Sequence, residues 1–143
     1  MGSAITIRGG RRALERIRSH GLDAGDIAIV PGAAGGPKGL GISGLDRAIF
    51  GGWLGEKPRV RHLVGASIGA WRFAAACCRD PGRTLEAFAK GYTEQRYPMR
   101  PSARFVSQSA RDLLRDLFGG REQEILGSSH YRLHILAVRG RRP

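Results

Sequence analysis

Lysine, cysteine and long apolar runs are all scarce in this chain, and each shortage excludes something. No apolar run approaches the roughly 20 residues of a membrane-spanning helix. The longest lies across residues 63–78 and is broken by Gly65, Gly69 and Arg72. The N-terminus lacks the apolar stretch of a secretory signal. Cys77 and Cys78 are adjacent, which suits neither an ordinary disulfide nor a metal knuckle. They read as small core residues in a reducing compartment, so a cytoplasmic location, peripheral to a membrane at most, is expected, with no metal and no cofactor.

Acidic residues are also few: 12, against 24 basic ones, for a formal charge of +12. Apart from Lys38, Lys57 and Lys90 the positive charge is all arginine. Such an excess favours anionic partners, whether an acidic membrane surface, nucleic acid or an acidic protein. The basic residues are spread along the chain, and no nucleic-acid-binding module accompanies them.

What remains is ordinary globular material. The chain has 143 residues, 41% hydrophobic and 25% charged, enough for one domain with a real core. Ala4–Ile7 suits a short edge strand. Residues 10–20 place Ala13, Leu14 and Ile17 among arginines, as in a basic amphipathic helix that ends at Gly21 and covers one face of a sheet. Asp26–Val30 reads as a buried strand running into Pro31-Gly32, followed by a helix over 39–50. A second strand at Val60–Val64 leads into an apolar helix from Ile68 to about Arg79. Further helices are expected over 83–91 and 102–118, with an aperiodic Tyr92–Pro101 connection between them and a last strand at 131–138. This order predicts an α/β fold with a mainly parallel sheet.

Two glycine-rich stretches follow the first two strands. Gly65-Ala66-Ser67-Ile68-Gly69 has the G-x-S-x-G spacing of a nucleophile elbow, with a strand before it and an apolar helix after it. A serine hydroxyl there needs a positioned base, and the helix beginning at Ile68 points its positive end at the site. The bland reading is a serine that merely turns a corner. The other stretch contains Gly35-Gly36-Pro37-Lys38-Gly39, whose N–H groups at Gly35, Gly36, Lys38 and Gly39 can converge on an anion. A phosphate-binding P-loop fails here, because Pro37 precedes Lys38 and Gly39 follows it. Gly39-Leu40-Gly41-Ile42-Ser43-Gly44 has dinucleotide-binding spacing, but its glycines fall inside the expected helix.

The two motifs together resemble the patatin-like phospholipase family, in kind, order and approximate separation, over residues 27–79. The resemblance implies a three-layer α/β/α sandwich and a Ser–Asp dyad acyl hydrolase that cleaves lipid esters without a metal. Ser67 would be its nucleophile and the Gly35–Gly39 loop its oxyanion hole. Ala34 stands where many members carry a third glycine. The family's aspartate sits in an Asp-Gly motif, and Asp80, Asp112 and Asp116, the aspartates after Ser67, each precede another residue. A Ser–Asp–His order using Asp116 with His130 or His134 is the other arrangement the sequence allows.

The expectation is therefore a single patatin-like domain over 1–143, truncated at its C-terminal end. Its function would be that of a lipid acyl hydrolase, with lipid or another acyl ester as substrate. The alternatives are an inactive module that binds lipid or an anionic membrane surface and, less favoured, a basic nucleic-acid-binding domain. The Tyr92–Phe105 stretch interleaves Tyr92, Tyr97 and Phe105 with Arg96, Arg100 and Arg104, a composition suited to anionic headgroups or single-stranded nucleic acid as well as to a plain connection.

Overall fold

The computed structural model describes residues 6–140. Its centre is a sheet of three parallel strands, β1 (Ile29–Gly32), β2 (Arg61–Ala66) and β3 (Tyr131–Leu136), in that spatial order. The α/β class and the parallel sheet are as expected. The expected Ala4–Ile7 strand lies partly outside the described residues, and Thr6 and Ile7 are irregular.

Two strands differ from expectation. β1 begins later than Asp26 because the Asp23 side chain accepts from Gly25 N–H at 2.6 Å and bends residues 24–26 into a 3-10 turn. It continues through Pro31, which is tolerated because β1 is an edge strand. It is not a buried strand either, since Ile29 is 61% exposed. β3 ends at Leu136, two residues early.

The described residues form six helices: α1 (Arg11–His20), α2 (Ser43–Gly51), α3 (Ile68–Ala76), α4 (Pro81–Glu94), α5 (Ala103–Phe118) and α6 (Glu122–Leu126). Asp80 caps α4 by accepting from Arg83 N–H at 3.0 Å, and Pro81 occupies its first turn. Ser102 caps α5 in the same way through Phe105 N–H. The helix expected over 39–50 divides into a 3-10 segment, Gly36–Ile42, and then α2.

α3 lies against all three strands, α4 packs on α2 and α3, and α5 follows on α4. The core is the seam between these helices and one sheet face, with Leu63, Phe73, Leu85 and Phe88 fully buried. Phe50 meets Phe73 and Tyr131 edge-to-face, at 5.7 and 6.0 Å between ring centroids. The alternation along β2 shows the two faces plainly. Arg61, Leu63 and Gly65 are buried, whereas His62, Val64 and Ala66 are not.

The second face carries no helical layer among the described residues. Ile29 and Leu136 on that face are 61% and 62% exposed. The helix expected to cover a sheet face, α1, has no fully buried residue and is held by an Arg16–Asp26 ion pair at 3.2 Å. Its apolar stripe is only the half-buried Leu14 and Ile17, too little to offset ordering four arginine side chains against a sheet. The described residues thus form an open α/β arrangement with helices packed on one sheet face, compatible with an incomplete α/β/α sandwich. Among the described residues no helix is long and apolar enough to cross a membrane.

Arg61 shows how the chain leading to β2 is held. It is fully buried, and it donates to the carbonyls of Ala24, Ile27 and Lys57 at 2.9–3.1 Å. Burial lowers its pKa from the ordinary value.

Candidate active site

β2 runs directly into Ser67, and α3 starts at the next residue. Ser67 has φ 51° and ψ −127°, the one positive φ at a non-glycine position among the described residues. That conformation costs of order 1–3 kcal/mol and persists only where the surroundings impose it. Here they do. A Cβ on Gly65 would lie 2.6 Å from both N and Cα of Ala70. A Cβ on Gly69 would run into the carbonyl of Gly32, with Gly32 C at 2.6 Å. Both flanking glycines are therefore required by backbone crossing at close range. The strand has to turn into the helix within one residue, and Ser67 is that residue.

The same contacts join the two glycine stretches. Gly69 touches Gly32 and Ala33 at the end of β1, just before the loop, and a Cβ on Gly39 would meet Ile68 Cγ2 at 3.0 Å. Within the loop, Gly36 has φ +53°, a backbone geometry that favours glycine. Lys38 N–H donates to Gly35 O at 3.3 Å and so is already engaged. Gly39 N–H lies within the 3-10 segment. Gly35 and Gly36 N–H, preceding that segment's first hydrogen bond, have no acceptor among the described residues. Neither do Ile68 and Gly69 N–H in the first turn of α3, where the helix dipole is positive. Ser67 itself makes no side-chain cap to α3, which leaves its hydroxyl uncommitted.

Ser67 lines two cavities. One, of about 160 Å³, is formed with Ile68, Trp71, Tyr92, Gln95, Tyr97 and Val106. The other, of about 320 Å³, is bounded by Trp71, Ala74, Leu114, Phe118 and Ile135 and is largely apolar. A third, of about 500 Å³, shares Tyr92, Gln95 and Tyr97 with the first and reaches Pro37 and Leu40 of the glycine loop. Among the described residues no acid and no histidine lines either cavity that holds Ser67.

The Asp116–His arrangement is not assembled. His134 is hydrogen-bonded to His62, Nε2 to Nδ1 at 2.8 Å, and their parallel register puts both on the uncovered sheet face. His130 lies beside Cys77 and Tyr131 at the opposite ends of the strands, and Asp116 is exposed. Asp80 serves as the α4 cap, and Asp112 accepts from Gln108 and Arg115. Cys77 is buried and its thiol is pushed up to about 12, chiefly by desolvation, so it stays protonated and unreactive. Among the described residues no cluster of three or more histidine, cysteine or acidic side chains could hold a metal.

One feature of the site was not anticipated from sequence. Arg72, one turn into α3 from Ser67, donates from Nε and Nη2 to the two carboxylate oxygens of Asp46 on α2 at 2.5 and 2.6 Å. Both side chains are under 10% exposed. The pair ties the helix after the serine to the helix after the glycine loop. Its signal in the sequence is a single arginine inside an otherwise apolar helix, which demands a partner.

Comparison of the chain with protein-family models, with curated proteins and with solved structures gives no match.

Proposed function

We propose that this chain is a serine acyl hydrolase of the patatin-like kind, with Ser67 as nucleophile and a lipid or other acyl ester as substrate. The observation that carries the reading is the backbone of Ser67, at φ 51° between a strand and a helix whose glycines cannot be replaced. Strain of this sort, placed beside unpaired N–H groups and a cavity, serves nucleophilic chemistry better than it serves folding.

In this reading Ser67 Oγ attacks the ester carbonyl carbon and its proton passes to solvent water, since no described residue lining the Ser67 cavities is an acid or a histidine. The carbonyl electron pair moves onto oxygen, where Gly35, Gly36, Ile68 and Gly69 supply N–H donors. Each well-placed donor is worth about 2.7–4 kcal/mol in such a transition state. Collapse expels the alcohol and leaves an acyl-enzyme that water then hydrolyses. The apolar cavity bounded by Trp71, Leu114 and Phe118 accommodates the acyl part.

The second reading is an inactive module that keeps this architecture for binding lipid. It is favoured by the lining of the Ser67 cavities, which among the described residues contains no acid and no histidine. A serine without its base loses several orders of magnitude in rate. A fluorophosphonate probe read by intact mass separates the two. Labelling that disappears in Ser67→Ala supports the hydrolase. A folded chain that resists labelling under prolonged exposure refutes it and leaves the binding module.

A further inference from the structure

From Arg96 to Gln108 every residue is exposed. The stretch holds Arg96, Arg100 and Arg104 and no acidic residue. None of the three arginines joins an ion pair among the described residues. Between them stand apolar side chains facing water: Met99 is 98% exposed, and Tyr97, Phe105 and Val106 are 40–45% exposed. Tyr97 meets Phe105 edge-to-face at 6.0 Å, which ties the connection to the first turn of α5. Tyr97 and Val106 also line the smaller cavity at Ser67.

We infer that residues 96–108 form a rim that docks on an anionic lipid surface and brings the Ser67 cavity against it. Arginines free of acidic partners among the described residues, interleaved with exposed apolar side chains, match the chemistry of a headgroup layer over hydrocarbon. A single-stranded nucleic acid would need open ring faces for its bases. Here the two rings pack on one another, and the most exposed apolar group, Met99, has no ring. A second copy of the chain would set arginine against arginine. The placing of Ser67 rests on the proposed hydrolase reading, whereas the lipid contact itself does not.

The test is co-sedimentation of the intact chain with vesicles of phosphatidylcholine, alone and in an equal mixture with phosphatidylglycerol. Binding is expected on the anionic vesicles and should weaken with salt. At about 1 kcal/mol, or about fivefold, per arginine, the Arg96→Gln/Arg100→Gln/Arg104→Gln variant should bind them on the order of a hundredfold more weakly. Met99→Glu should weaken binding too. All the rim positions are exposed, so these variants should fold, and thermal unfolding checks that they do. Absence of vesicle binding overturns the inference. So does vesicle binding that both rim variants retain in full, or tighter binding to a single-stranded oligonucleotide at the same salt. A chain that binds vesicles but resists the fluorophosphonate keeps the rim and loses the hydrolase, and the converse result does the reverse.

Discussion

The Asp46–Arg72 pair offers the sharpest energetic test of how the two loops are held together. Both side chains are almost fully removed from water, and both carboxylate oxygens are taken by one guanidinium. Replacing Arg72 with Met strands the Asp46 charge in the core between α2 and α3, and replacing Asp46 with Leu strands the arginine. Breaking a buried pair from one side costs about 3–5 kcal/mol, a large share of the 5–15 kcal/mol that holds a typical domain together. Removing both partners removes both desolvation penalties. Asp46→Leu/Arg72→Met should therefore stand within about 1–2 kcal/mol of the parent chain, on either side. Urea denaturation followed by circular dichroism reads all four chains. With a slope of about 2 kcal/mol per molar, each single variant should lose roughly 2 M in midpoint. A double variant that loses the sum of the singles, or a single variant that costs less than about 1 kcal/mol, would show that the two charges do not compensate each other's burial. The fluorophosphonate reaction adds a functional readout. If the pair aligns the loops, the folded single variants should label more slowly than the double variant.

Three further outcomes follow from the elbow and the core. Ser67→Gly should abolish labelling while raising stability by about 1 kcal/mol, because glycine accepts the positive φ without strain; a fall in thermal midpoint would contradict the strain argument. Gly69→Ala should cost about 3 kcal/mol or more, since its methyl meets backbone that cannot move aside, whereas Gly41→Ala, with nothing within 4 Å, should change stability by less than about 1 kcal/mol; equal urea midpoints for the two would refute the close crossing. Cys77 should resist iodoacetamide at pH 8 in the native chain and react on unfolding. Its thiol rises from 9.0 to about 12 on folding. Above pH 9 the unfolded chain therefore binds fewer protons than the native one, and stability should fall up to about pH 12, at a rate approaching 1.36 kcal/mol per pH unit. Cys77→Ala should flatten that decline, and an unchanged pH profile would show that the thiol is not the cause.

Much of the local structure was legible in the residues themselves. Gly21 ends α1 and Ser102 caps α5, each through chemistry confined to a few neighbouring positions. Asp80-Pro81 reads as a turn ahead of a helix over 83–91, whereas it caps and opens α4, which runs on to Glu94. Ser67 was legible for a related reason: glycine two positions away on either side is the mark of a turn that no larger residue can make. Other readings failed where the deciding partner was distant in sequence. Asp26–Val30 has the composition of a buried strand, yet β1 lies at the sheet edge with one face bare. The helicity of α1 was evident, but not that its stripe lacks the width to hold a sheet face.

Sequence alone therefore determined the α/β class, the end of α1 at Gly21, the Ser102 cap of α5 and the two glycine motifs, because backbone sterics and capping act within a few residues. Tertiary structure decided what those motifs amount to. It brought Gly69 onto Gly32 and Gly39 onto Ile68, so that the two loops share one corner of the fold. It buried Arg72 against Asp46, and it carried His134 to the opposite sheet face from the Ser67 cavities. Each of those outcomes depends on which strands pair and which helix faces meet, and no short stretch of the chain holds that information.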